Sequence, residues 1–180
     1  VIGVLIPDQW LYCGLPAVRF MDSIIKTKGA KTLLFQNYTL QDYPKKYCFP
    51  LGYNNIFLKI AAFEPEGIMN VSSDELCSER FLNSNQEFKV LQSTFSRLGK
   101  ELNASIVEVG YFFELWKKQY PKISVYAAAD DSHPSPEGSY LMACVFFKCI
   151  TGEHLSDINY SASIDKAIAK NMRDMVEKGK

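Results

Sequence analysis

The sequence predicts an α/β fold, a three-layer sandwich in which a mostly parallel sheet is covered by helices on both faces. Strand-like apolar segments alternate with helical segments along the chain, which favours parallel strands joined by helices. The first segment, V-I-G-V-L-I, is a continuous apolar run typical of a strand buried on both sides. With 180 residues, 47% of them hydrophobic, the chain is long enough for one domain with its own core. We therefore expect a single domain over residues 1–180.

The first three elements form a strand, a helix and a strand. Residues 1–6 are predicted as a buried strand, and residues 16–28 as a helix that Gly29 ends. Residues 31–38, of T-L-L-F character, predict the second strand. Gln36, Asn37 and Tyr38 at its end either point into a substrate pocket or simply terminate the strand, and the second interpretation is favoured.

Residues 39–78 break this alternation. Aromatic residues, prolines and glycines follow one another there without a steady period, which predicts an irregular insertion packed over the core. Such an insertion could form a lid or a pocket wall.

Helix and strand alternate again after the insertion. Residues 79–103 predict a long helix, followed by a strand at 105–109 and a short amphipathic helix at 111–119. The long helix carries one apolar stripe: Phe81, Phe88, Leu91, Phe95, Leu98 and Leu102. Pro121 then leads through I-S-V-Y-A into an acidic, histidine-containing loop.

That loop and the helix behind it are the most informative part of the chain. Pro134 disfavours the helical region for His133, and Pro136 suits a first helical turn, so Ser135 is predicted as the N-cap. The helix is predicted over residues 136–150, and its apolar residues would support the loop rigidly. Cys144 and Cys149 are predicted in its core, and His154 beyond its end as a C-terminal cap.

Asp130 and His133 have the chemistry of an acid and base pair. The carboxylate of Asp130 would accept the Nδ1 proton of His133, which leaves Nε2 to take a proton from a hydroxyl nucleophile. By itself, D-x-x-H is a weak pattern, since acidic residues are common in turns and a histidine is often structural. A metal site at Asp130, Asp131 and His133 is disfavoured because these ligands are few and too close in sequence.

The longer string D-x-x-H-P-S-x-x-G-x-Y-L-x-A, over residues 130–143, resembles the last conserved block of the SGNH hydrolases, the GDSL-like esterases and lipases. The resemblance implies a flavodoxin-like fold, a catalytic role for His133 as general base, and Asp130 as the acid that orients it. Asp131 lies at the wrong spacing to replace Asp130.

The other motifs of that family are missing from these 180 residues. There is no G-D-S for the nucleophile and no G-x-N-D for the oxyanion hole. Gln9, after the first strand, stands where the family has its oxyanion-hole asparagine; it is a weak candidate for that role, and an ordinary loop residue is the more favoured interpretation. The expectation is that the first strands and the serine precede this chain; the alternative is a relative that has lost its nucleophile.

The predicted function is hydrolysis of an acyl ester, such as an acetyl or short acyl group on a carbohydrate, through a serine, His133 and Asp130. A lipid ester is the alternative substrate. No cofactor is required for this chemistry. Transfer of the acyl group to another acceptor would use the same loop. The rival class is an inactive binding or scaffold domain acting through the insertion or the final helix.

Composition limits the partners. Twenty basic and twenty acidic residues balance, and no basic cluster is interleaved with aromatic residues, which argues against nucleic acid. No apolar stretch is long enough to span a membrane. Residues 161–176 predict a helix with Ile164, Ile168, Met172 and Met175 on one side, either a surface helix or a site for a protein partner.

Cysteines and glycosylation sequons leave the compartment open. The five cysteines include no C-x-x-C pair, so neither a zinc site nor a complete disulfide framework is indicated. The sequons at Asn37, Asn70, Asn103 and Asn159 are a weak sign of a secreted or lumenal protein. Against this, Asn37 is predicted near the pocket, a poor place for a glycan.

Overall fold

The computed structural model describes residues 2–5, 11–46, 48–50, 68–71, 75–78, 80–129 and 132–179. Within these ranges the protein is mixed, with both helices and strands. Its backbone divides into two compact units, one of Val1–Asn37 with Asp42–Ile106 and the other of Tyr38–Gln41 with Val107–Lys180. Among the helices of the described ranges, none has the length and apolar character needed to cross a membrane.

The first unit begins with the predicted strand, helix and strand. Strand β1 is Ile2–Leu5, helix α1 is Leu11–Thr27 and strand β2 is Lys31–Phe35. β1 and β2 pair in parallel, with Val4 opposite Leu33. β2 lies between β1 and strand β6, Ser105–Val107. The expected parallel pairing is therefore present.

Two boundaries of this unit differ from the predicted ones. Helix α1 starts at Leu11 rather than at residue 16, so Pro16 lies inside the helix and contributes no backbone N–H there. β2 ends at Phe35 instead of continuing to residue 38. Gln36 and Asn37 follow the strand within the first unit, and Tyr38–Gln41 belongs to the second.

The irregular insertion contains a small antiparallel sheet that the sequence did not predict. Strands β3 (Cys48–Pro50), β4 (Ile68–Val71) and β5 (Glu75–Ser78) form it in the order β3-β5-β4. An irregularity in the register of β4 and β5 lies between Ile68 and Asn70. The insertion is thus partly regular, although its strands are too short to show a period.

Helix α2, Ser84–Glu101, provides much of the core of the first unit. It starts later than the predicted residue 79, because Asn83 caps it through Gln86 N and Phe81 instead forms a β-bridge with Lys45. The predicted apolar stripe packs inward together with residues of α1 and β2. The resulting buried cluster consists of Val18, Leu34, Leu91, Phe95, Leu98 and Leu102.

The second unit is mainly helical. Its helices are α3 (Val109–Gln119), α4 (Pro136–Thr151) and α5 (Lys166–Lys178), and a short 3-10 helix spans Leu155–Asp157. α4 packs against both α3 and α5. The strand predicted over 105–109 ends at Val107, and α3 starts two residues before its predicted start at residue 111.

Helix α5 replaces the helix predicted over residues 161–176. It starts at Lys166 because Asp165 caps it, with the carboxylate accepting from the amides of Ala167 and Ile168. Met172, Met175 and Val176 are buried inside the unit. A protein partner at this helix, which stays a prediction, would therefore have to use its polar side.

Candidate functional site

The predicted base lies on a loop that ends in a well-formed helix cap. Ser135 is the N-cap of α4, its hydroxyl accepting a hydrogen bond from Gly138 N at 3.1 Å, and Pro136 occupies the first turn. The same hydroxyl donates to Ser124 O at 3.1 Å. Ser135 is buried, so this one side chain fixes both the start of α4 and its distance from the segment at residue 124.

Gly138, the glycine three residues after the cap, lies where there is no room for a side chain. A Cβ atom at this position would lie 2.0 Å from the carbonyl oxygen of Val125. No side chain can be accommodated at such a distance. The glycine therefore allows the first turn of α4 to approach the 124–126 backbone closely.

The backbone of the loop is paired with that same segment. Ala127 N donates to His133 O at 2.9 Å, and Ser135 N donates to Val125 O at 2.9 Å. Between these two bonds, Tyr126 and Pro134 form an antiparallel bridge. The main chain of His133 is consequently held in place, as a positioned base requires.

The imidazole of His133 is exposed at the surface of the second unit. Its Nδ1 atom lies 3.3 Å from Ser132 Oγ, a long contact between neighbours in sequence. Asp130 and Asp131 lie outside the described residues, so the contact between Asp130 and His133 remains a prediction. Gln9 also lies outside the described residues, and its oxyanion role stays a prediction too.

Aromatic rings form the support beneath the loop. Tyr38 stacks on Phe113 with ring centroids 4.4 Å apart, and Tyr126 meets both rings edge-on. Phe113 and Tyr126 are buried. Tyr38 was predicted to end a strand or, less favoured, to point into a substrate pocket, and Tyr126 had no predicted role. Their shared feature, an aromatic body with a polar tip, was the available signal.

Gln36 stands at the carboxyl end of β2 in the first unit. Its side chain is almost completely buried, and its Oε1 atom has no hydrogen-bond partner among the described residues. Such an atom is costly to bury unpaired. A ligand contact by Gln36 stays a prediction.

Cysteine thiols and potential metal ligands are the other side chains considered for chemistry. Cys144 is a core residue, as predicted, whereas Cys149 is only half-buried. Burial raises the pKa of the Cys144 thiol to about 11, which makes it a poor nucleophile. In the described ranges, no group of three His, Cys, Asp or Glu side chains could hold a metal ion. Asp130 and Asp131 do not lie in these ranges.

His154 does not cap α4, contrary to expectation. Gly152, in the left-handed conformation with a φ of 72°, ends that helix and donates to Lys148 O. The Nδ1 atom of His154 instead lies 2.6 Å from Glu177 Oε1 on α5. The structure therefore gives the two histidines of the chain different environments.

Comparison with protein-family models, with curated proteins and with solved structures found no match for this chain.

Proposed function

We propose that this chain is part of an SGNH-like ester hydrolase in which His133 is the general base and Asp130 its orienting acid. The nucleophilic serine would come from a segment outside these 180 residues, because they contain no G-D-S. The observation that carries the proposal is an exposed imidazole on a loop whose backbone is paired and which leads into a capped helix.

In the proposed reaction, Nε2 of His133 removes the proton of the serine hydroxyl as its oxygen attacks the ester carbonyl. The tetrahedral intermediate collapses, and the imidazolium returns the proton to the departing alcohol. A water molecule, activated by His133 in the same way, then hydrolyses the acyl-serine and releases the acid. Gln9 is the candidate donor to the oxyanion.

The fold proposed with this activity is the three-layer, flavodoxin-like sandwich. The parallel pair β1 and β2, joined by α1, supports it, because a parallel pair with a helical crossover is the unit from which such folds are built. Ligands of such sheets bind outside the carboxyl ends of the strands.

The proposed substrate is an acetyl or other short acyl ester of a carbohydrate, because the aromatic residues that make up 13% of the chain are of the kind that stacks on sugars. Acyl transfer would use the same serine and His133 but a sugar hydroxyl in place of water. Incubation with an acceptor sugar separates the two, because only a transferase forms a new ester.

A serine-directed fluorophosphonate tests the proposal in the intact protein that carries this chain. We expect covalent labelling of one serine, identified by peptide mass spectrometry, and loss of labelling in His133→Ala. His154→Ala is the matched control, because it removes the other histidine of these 180 residues, and should leave labelling intact. Absence of labelling in the folded wild-type protein would instead favour a binding or scaffold domain.

A further inference from the structure

Residues 38–41 connect β2 to the insertion but belong to the second unit. Two hydrogen bonds hold this segment there. The Thr39 hydroxyl donates to Glu114 Oε1 at 2.8 Å, and the Tyr126 hydroxyl donates to Thr39 O at 2.6 Å. Thr39 and Tyr126 are buried, so the bond between them is shielded from water, while the bond to Glu114 is part-buried. These two bonds consequently hold the backbone next to Tyr38 in place.

The ring of Tyr38 is fixed as well. It lies nearly parallel to Phe113, at an interplanar angle of 13°, and Tyr126 meets it edge-on with centroids 5.7 Å apart. From this position the Tyr38 hydroxyl donates to the carbonyl oxygen of Ser132 at 3.0 Å. The two residues are 94 positions apart in sequence, and Ser132 directly precedes the proposed base.

This bond and one other hold the two peptide planes on either side of His133. Tyr38 holds the carbonyl of Ser132, and Ala127 N holds the carbonyl of His133 at 2.9 Å. Each carbonyl lies in a rigid peptide plane. Fixing both planes fixes φ and ψ of His133, and with them the direction of its Cα–Cβ bond.

We propose that Tyr38 is a positioning residue that directs the His133 side chain through the carbonyl of Ser132. The proposal rests on His133 being the base of the proposed function. Tyr38 itself does not touch the reacting atoms. A base must stand within hydrogen-bond reach of the proton that it removes, so a loosened loop lowers the rate without removing a chemical group.

The test compares Tyr38→Phe with Tyr120→Phe. Tyr120 stacks on Trp116 at 4.2 Å much as Tyr38 stacks on Phe113, but within the described ranges its hydroxyl makes no hydrogen bond. Both changes keep the ring and remove one oxygen atom. We expect amide exchange at Ala127 to accelerate about five-fold in Tyr38→Phe, as the loss of one hydrogen bond predicts, and to stay unchanged in Tyr120→Phe.

NMR of the histidine rings gives a second readout in the same samples. The chain has two histidines, so His154 serves as the internal reference. In Tyr38→Phe we expect the His133 ring signals to shift and their relaxation to show greater motion, while those of His154 do not change. Unchanged His133 signals together with unchanged Ala127 exchange would overturn the proposal.

Ester turnover by the intact protein distinguishes a failure of the Tyr38 proposal from a failure of the hydrolase proposal. The proposal expects kcat in Tyr38→Phe to fall about ten-fold, with a smaller change in KM. Normal turnover in that variant, despite faster exchange at Ala127, would also overturn it. If the wild-type protein has no turnover but the exchange and ring signals respond, the hydrolase proposal fails while Tyr38 is still shown to direct His133.

Discussion

Some residues of the histidine loop and of the helix after it are required for close backbone packing, independently of any catalytic role. Gly138 lies against the Val125 carbonyl, where a Cβ would be 2.0 Å from the oxygen. Ser135 uses one hydroxyl both to cap α4 and to reach Ser124 O. Both residues belong to the motif that suggested the family, and both have structural roles that do not depend on catalysis.

Gly138→Ala should lower the free energy of unfolding by about 1–3 kcal/mol, since the added methyl group must displace backbone. In an ordinary helix position the same change would stabilise the protein. Urea unfolding measures the effect. Ser139→Ala, next in sequence and exposed, is the control and should be nearly neutral. A stable Gly138→Ala variant would mean that α4 does not approach Val125 so closely.

Ser135→Ala should destabilise the protein by about 1 kcal/mol through loss of the N-cap. Ser135→Asn, which keeps a capping acceptor for Gly138 N, should recover part of that loss. Thermal unfolding of both variants makes the comparison. Equal stability of Ser135→Ala and the wild type would show that the cap contributes nothing.

Local features such as these could be predicted from sequence, but distant contacts could not. The prolines on either side of Ser135 restrict the backbone by themselves, and the predicted cap is present. The hydrogen bond from Tyr38 to Ser132 joins residues that only the folded chain brings together. For the same reason His154 was wrongly predicted to cap α4, because its partner Glu177 lies on another helix.

At the level of elements, Glu177 of α5 is the main polar connection to the end of α4. Its carboxylate accepts from the backbone amide of Leu155 at 3.0 Å and from Lys148 Nζ at 3.0 Å, and it contacts His154. The Leu155 amide, followed by the Lys148 and His154 side chains, lowers the pKa of Glu177 to about 2. The ionised form is therefore the one that the fold favours.

This lowered pKa makes the contribution of Glu177 depend on pH. Because the folded pKa lies below the ordinary value of 4.5, the stabilisation is complete above about pH 4.5 and is lost as the pH falls toward 2. Glu177→Gln should therefore have a lower Tm than the wild type at pH 6, and the difference should shrink between pH 4.5 and 2.

Thermal melts from pH 2 to 7 measure that difference. Asp174→Asn is the matched control on the same helix, because Asp174 pairs only along α5 with the exposed Lys170 in the described contacts. Its effect on Tm should be small. A difference between Glu177→Gln and wild type that stays constant with pH would contradict the lowered pKa.

Element types were predicted better than their ends. The apolar stripe of α2 was correctly assigned to the core, since a period of 3.6 residues is visible in sequence. Its start was placed five residues too early, because Phe81 fits the same stripe but bridges to Lys45. A tertiary contact thus decides a boundary that periodicity alone leaves open.

For the whole molecule, alternation of strands and helices was enough to predict a parallel pair, which β1 and β2 form. The antiparallel sheet of β3, β4 and β5 was missed because its strands have only three or four residues each. Such strands are too short to show an alternating pattern. The hydrolase site likewise depends on a serine that these residues do not identify.

The most direct test of the central claim is p-nitrophenyl acetate turnover by the intact protein, comparing His133→Ala with His154→Ala. If His133 is the base, its removal should lower kcat at least 100-fold, the order of magnitude that general-base catalysis contributes. His154→Ala should retain near-normal turnover, since His154 contacts Glu177 on α5 and is not part of the loop that carries His133. Undiminished turnover in a folded His133→Ala protein would contradict the account.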